Sequence, residues 1–240
     1  MVKSARTKPG TKLPQVGRKV AAKKTHSSKP AGKPDGTESP YHHGDLHVAL
    51  LKGAQIVLER DGLNGLTLRA VAREAGVSHA APTHHFGDLT GLLSELAAVG
   101  FRHFNTALNA ASATGSTPAE SGLARARAYL AYARAQPGMY QLMFRTERLD
   151  MNRPSLKEAS NISFASLARV SGIVHAGDVA TDELSMAQAT QIARTWSLAH
   201  GFAMLVLAGR LDYVLERLPG KPDAETLFVE TLKISVPPPQ

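Results

Sequence analysis

From Tyr41 onward the apolar residues fall into a helical rhythm. After Asp45 come Leu46, Leu50, Gly53, Ala54, Val57 and Leu58, at i, i+4, i+7, i+8, i+11 and i+12, which is one stripe at the helical period. The stripe predicts a helix from Asp45 to about Asp61, with Gly62 placed to supply a left-handed C-cap. Thr67 is the expected N-cap of a second helix, on which Leu68, Val71, Ala72 and Ala75 share a face, and Gly76 closes it. Ser78 is expected to cap a third helix running to about His85, and "GDLTGLLSELAAVGFRHFNTAL" begins a longer fourth. The same period continues in "STPAESGLARARAYLAYARAQPGMYQLMF", "SLKEASNISFASLARVSGIVHAG", "DELSMAQATQIARTWSLAHGFAMLVLAG" and "DAETLFVETLKISV". Gly/Pro/Asn/Asp clusters near residues 115, 137, 152, 177 and 220 separate these runs. No convincing period-two alternation and no internal repeat interrupts the pattern, so the expected fold class is all-α.

Residues 1–40 break the rhythm. They are rich in Lys, Pro, Gly, Ser and Thr, and their apolar content is Leu13 with a few valines and alanines. Such a segment cannot bury enough surface to offset the entropy of ordering, and it reads as a disordered basic tail. Its ten Lys/Arg against Asp35 and Glu38 give a net +8, the whole net charge of the chain; residues 41–240 hold 18 basic and 18 acidic residues. Two readings of the tail stand: a solvating linker, and an arm that seeks nucleic acid, since blocks of lysine attract polyanions without a fold.

Other functional classes are narrowed by what is missing. The sequence has no cysteine, which excludes disulfides and thiolate zinc sites and fits a reducing cytoplasm. No apolar h-region precedes residue 40, so no secretory signal is visible. The most apolar run, "LAHGFAMLVLAG" (Leu198 to Gly209), falls short of the ~20 residues a bilayer requires and reads as a buried helix, with no membrane partner expected.

The short helix at Leu68–Ala75, a glycine turn and another short helix form the grammar of a helix-turn-helix. In that arrangement the second helix presents its N-terminal residues to the major groove, which is about 12 Å wide and admits one helix. Helical spacing turns Val77, Pro82, His85, Phe86 and Leu89 inward, His79, Ala80 and Thr83 outward, and leaves His84 at the edge.

At these residues the sequence resembles a family. "GLTLRAVAREAGVSHAAPTHHF" followed by "GDLTGLL" resembles the DNA-binding domain of the TetR family of bacterial transcriptional regulators, and Asp45–Asp61 is similar to its first helix. The opening "YHHGDLHVALLKGA" and the later "WSLAHGF", with Trp196, His200 and Gly201, resemble a subgroup whose C-terminal domain is named for a Trp-His-Gly signature. The resemblance implies a three-helix DNA-binding domain over residues 41–90 and a larger helical domain over 91–240 for effector binding and dimerisation. It further implies a homodimer on a double-stranded DNA operator with an inverted repeat, and an unknown small-molecule effector that alters the spacing of the two reading heads. Half-sites about 34–36 Å apart make binding sensitive to that spacing. Family positions for DNA contact fall on Thr67 and Arg69 in the second helix and on Ser78, His79, Ala80, Thr83, His84 and His85 around the third.

Two positions depart from the family pattern. It usually has tyrosine where Thr83 stands and lysine where Leu89 stands, both commonly serving phosphates. Residues 41–90 carry Lys52, Arg60, Arg69 and Arg73 against five acids, a net of −1. The basic tail is then the natural source of the missing positive charge.

Two side-chain groups admit more than one role. Six of the ten histidines lie between His42 and His85, but His42–His43 and His84–His85 are adjacent pairs that diverge by about 100° on a helix. No HExxH-type spacing occurs, so no metal and no cofactor is expected. Trp196, His200 and Gly201 lie one turn apart, where tryptophan fills space, glycine permits close approach and histidine finds a core partner. Effector contact, together with Tyr140, Met143 and Phe144, is the other reading. There is no Gly-rich phosphate loop, nucleophile elbow or paired acid–base motif, and an enzyme is not expected. The sequence reads as a ligand-responsive regulator, a repressor, with an architectural nucleoid protein of little sequence preference as the alternative.

Overall fold

The computed structural model describes residues 43–170 and 183–235. The tail over residues 1–40, the end of the helical run at "SGIVHAG" and the final "PPPQ" lie outside these residues. Within them the chain forms helices and no strand: α1 (His43–Gly65), α2 (Leu68–Glu74), α3 (Ala81–Phe86), α4 (Leu89–Ser112), α5 (Pro118–Ala135) and α6 (Pro137–Met143). After a 3₁₀ turn at Thr146–Arg148 come α7 (Pro154–Val170), α8 (Met186–Leu207), α9 (Asp212–Leu215) and α10 (Ala224–Ser235).

The helix starts are chemically marked. Thr67 Oγ1 accepts the Ala70 N–H at 3.1 Å to begin α2, and the Asp88 carboxylate accepts the Gly91 N–H at 2.8 Å to begin α4. Thr117 with Glu120 and Ser185 with Gln188 form capping boxes ahead of α5 and α8. Each such cap stabilises its helix by about 1 kcal/mol.

Two ends differ from expectation. Gly62 has the positive φ expected of a C-cap, 70°, but its ψ of −178° is extended, and a further turn carries α1 to Gly65. That combination suits glycine alone. Ser78 does not cap a helix at its own position. A helix starting there would need residue 82 to donate its N–H to the Ser78 carbonyl, and Pro82 has none. Ala81 donates to that carbonyl instead, at 3.1 Å, and α3 begins at Ala81 with proline in its first turn.

The α1 stripe is the core of the N-terminal part, with Leu50, Ala54, Val57 and Leu58 fully buried beside Val71, Ala72 and Phe86. The connecting element is α4, which packs against α1, α3, α5, α6 and α7. At its start, a Cβ on Gly91 would run into the Phe86 carbonyl oxygen, so only glycine lets α4 leave α3 this closely. Farther along, α4 meets α6 at Gly100, where a Cβ would lie 2.7 Å from Met139 Sδ, and the Tyr132 hydroxyl donates to the Gly100 carbonyl at 3.1 Å. These contacts bring α6 to α4 beside the α1–α6 junction.

Candidate functional site

The two short helices expose most of the residues predicted to meet DNA. Thr67, Arg69, Ser78, His79, Ala80, Thr83 and His84 are exposed, while Pro82 and Phe86 are buried beneath them. His85 is half-buried, its ring centroid 6.1 Å from His47 of α1, and His47 rests on Phe86 at 4.9 Å. The inward lean of His85 follows from its place beside Phe86, which anchors α3. Thr67 uses its oxygen as an acceptor for the α2 cap and keeps a hydroxyl proton to donate.

The cations of this surface divide into two kinds. Arg60 of α1 is held between Asp61 at 2.9 Å and Glu74 of α2 at 2.8 Å, and those hydrogen bonds raise its pKa while lowering that of Asp61. It ties α1 to α2. Arg69 and Arg73 are exposed and form no salt bridge among the described residues. Leu89, which stands where the family pattern has a phosphate-binding lysine, is half-buried against the core.

The second group of predicted residues converges between α5, α6 and α8. The Tyr140 hydroxyl shares a hydrogen bond with His200 Nδ1 at 2.8 Å and another with the Tyr129 hydroxyl at 3.0 Å. Phe144 closes the group, its ring 4.5 Å from His200, 5.1 Å from Tyr140 and 6.3 Å from Trp196. Met143, on the same helix as Tyr140, is buried toward Gly100 of α4. Tyr140 is fully buried, whereas Trp196 is 42% exposed, so the cluster runs from the core to the surface. Desolvation pushes Tyr129 up to about 12, raises Tyr140 with help from Tyr129, and lowers His200. All three are therefore neutral near pH 7 and offer hydrogen bonds without charge. Sequence reasoning does not single out Tyr129; an aromatic residue in the middle of α5 belongs to no motif, and only its position across from Tyr140 gives it a role.

No group of three His, Asp or Glu side chains among the described residues is arranged to hold a metal ion. No helix among them is long and apolar enough to cross a membrane.

Two family models match this architecture in order. Residues 50–96 match the bacterial regulatory proteins of the tetR family, and residues 123–232 match a tetracyclin repressor-like C-terminal domain. The chain belongs to the TetR family of bacterial regulatory proteins. A solved protein of unknown function from Rhodococcus sp. RHA1 is 34% identical, with 83% of this chain and 99% of that one covered and a TM-score of 0.63. A TetR-family transcriptional regulator from Pectobacterium atrosepticum is 20% identical over 82% of this chain and 95% of its own, with a TM-score of 0.54. The multidrug binding protein EbrR, solved with imidazole, is 21% identical over 86% and 98%, with a TM-score of 0.51. At these last two identities the likeness is one of fold. No curated protein matches the sequence. As a TetR-family transcriptional regulator, the chain carries its DNA-binding helix-turn-helix in α2 and α3.

Proposed function

We propose that this TetR-family chain is a ligand-responsive repressor that binds an inverted-repeat operator as a homodimer in the cytoplasm. Thr67, Arg69, Ser78, His79, Ala80, Thr83, His84 and His85 make its DNA contacts, and Tyr140, Met143, Phe144, Trp196 and His200 meet the effector together with Tyr129. The observation that carries this reading is the double attachment of α6. It bears Tyr140, bonded to His200 at 2.8 Å, and its Met139 N–H is bonded to Glu59 of α1 at 3.1 Å. A ligand that separates Tyr140 from His200 therefore pulls on the helix that frames the DNA-binding domain.

Dimerisation is supported by the apolar side chains that α8 and α10 leave in solvent. Met186 is 82% and Ile234 87% exposed, with Leu205 also open. A two-fold bundle of these helices would cover them. Trp196, His200 and Gly201 on α8 favour the Trp-His-Gly subgroup, since two of the three pack around Phe144.

Selection of bound duplexes from random DNA, followed by footprinting, tests the reading. The expected result is an inverted repeat with half-sites about 34–36 Å apart. Binding without sequence enrichment overturns it in favour of an architectural DNA-binding protein, and a strict 25.5 kDa monomer in light scattering overturns the dimer.

A further inference from the structure

One arginine of α5 turns away from solvent. Arg125 is 9% exposed, and its guanidinium meets only neutral oxygens. Nη1 donates to Asn109 Oδ1 of α4 at 2.8 Å, and Nη2 donates to Ser166 Oγ of α7 at 2.6 Å. Among the described residues no carboxylate lies within ion-pair distance of it. Burial lowers its pKa, and a second cation, Arg169, lowers it further. A guanidinium has five N–H donors, and a buried one without a counter-ion is costly.

The same three-helix junction holds more polar atoms than it satisfies. Asn105 Oδ1, one turn before Asn109 on α4, is buried without a hydrogen-bond partner, as is Ser163 Oγ, one turn before Ser166 on α7. Arg153 meets Glu95 at 2.6 Å and Arg102 meets Glu158 at 3.8 Å, so α4 and α7 run in the same direction, and Arg125 bridges Asn109 and Ser166 farther along both. Toward the other end the facing positions of α7 are the buried Leu156 and Ala159. Buried polar atoms without a partner occur at both ends of α7, at Ser155 Oγ as well as Ser163 Oγ, and Arg125 enters at the Ser166 end.

Arg125 also stands one turn from Tyr129 on the same face of α5. Tyr129 packs its ring on Phe104 at 5.0 Å and reaches Tyr140 with its hydroxyl. A positive anchor and a neutral aromatic cluster thus lie about 6 Å apart along one helix.

We propose that Arg125 is an anion anchor, and that the effector is an organic carboxylate whose head sits on this guanidinium and whose apolar body extends toward Tyr129, Tyr140 and Phe144. The inference rests on the effector reading of the aromatic cluster and names the chemistry that cluster accepts. The carboxylate supplies the missing counter-ion, and the unused N–H donors bind it in a fork. The neutral tyrosines and His200 leave the rest of the ligand uncharged.

The test uses the full chain with benzoate, phenylacetate, hexanoate and octanoate, each beside its neutral amide. Thermal shift, titration calorimetry and the guanidinium ¹⁵N resonance of Arg125 are read in the wild type, Arg125→Lys and Arg125→Met. The expected result is that at least one carboxylate stabilises the wild type, its amide does not, and the Arg125 resonance moves. Arg125→Met removes a buried charge at similar volume and weakens carboxylate binding by roughly tenfold to hundredfold, while Arg125→Lys keeps part of it. Should Arg125→Met not fold, the wild-type resonance decides alone. Equal response to acid and amide, an unmoved Arg125 resonance, or no binding by any acid overturns the anchor. An acid that binds at Arg125 without changing operator affinity supports the anchor and overturns the effector reading. A neutral compound that releases operator while every acid leaves Arg125 unmoved does the reverse.

Discussion

Glu59 of α1 accepts a hydrogen bond from the backbone N–H of Met139, in the first turn of α6, at 3.1 Å. The residue before α6, Gln136, provides no side-chain cap of its own. The side-chain acceptor at this helix start therefore comes from the DNA-binding domain. Gly138 lets the two helices meet, since a Cβ there would lie 3.2 Å from Leu58 Cγ. Glu59→Ala is expected to lower stability by about 1 kcal/mol, the worth of a cap. Glu59→Gln keeps an acceptor and gives up only the favourable charge at a helix N-terminus. Urea denaturation of both variants checks the order, and a smaller effector response in Glu59→Ala at equal ligand occupancy checks the coupling.

His79→Ala and Thr83→Ala address the reading helix. Both side chains are exposed at α3, which Pro82 and Phe86 anchor. Each substitution is expected to weaken operator binding by about 1–3 kcal/mol and to relax preference at the contacted base. Fluorescence anisotropy against operator and against random duplex measures both. Unchanged operator affinity in the two variants would move the contact surface elsewhere.

How far these features can be read from sequence depends on how many residues a feature spans. The α1 stripe repeats Leu50, Ala54, Val57 and Leu58 over three turns, and all four are buried. The caps at Thr67 and Asp88 act on the next few residues and are equally local. The start of α3 differs from the expected one because Ser78 is a good cap and Pro82 a stronger constraint four residues later. Neither α9 nor the 3₁₀ turn fills enough of a helical period to leave a pattern. The Arg60 clamp, Tyr129 opposite Tyr140 and the Arg125 junction each need two or three helices to be brought together. Nothing local in the sequence encodes such a meeting.

His200 gives the fold a pH dependence of known sign. Burial holds its pKa below the ordinary 6.5, so the unfolded chain takes up this proton first as pH falls. The stabilisation is fully present above about pH 6.5 and is lost as pH drops toward the folded-state value. Melting temperatures between about pH 7.5 and pH 5.5 should fall more steeply in the wild type than in His200→Gln. Parallel curves would mean that the imidazole keeps its proton equilibrium on folding.

Gly91→Ala tests the α3–α4 corner. The added methyl meets the Phe86 carbonyl, a backbone atom that cannot rotate away, and the Arg153 guanidinium at 2.8 Å. A loss of about 3 kcal/mol, the upper end of overpacking costs, is expected. Gly122→Ala, inside α5 where a Cβ meets nothing, is the control and should stabilise by about 0.5–1 kcal/mol in the same calorimetric scan.

The basic segment at residues 1–40 makes a separate electrostatic prediction. It holds ten Lys/Arg, while residues 41–90 are slightly acidic. Deleting residues 1–38 should weaken operator and random DNA alike and reduce the slope of log K against log salt by about 0.9 for each phosphate that is no longer neutralised. An unchanged slope would make the segment a bystander in binding.

The length of α4 gives small movements a large effect. Its 24 residues extend about 36 Å at the usual rise, from the corner with α3 past α6 to Asn109 beside Arg125. A lever of that length turned by about 5° at one end displaces the other by about 3 Å, close to the roughly 3.4 Å between base pairs. A few degrees of tilt in α4 therefore become, at the corner with α3, a displacement of the order of one base-pair step.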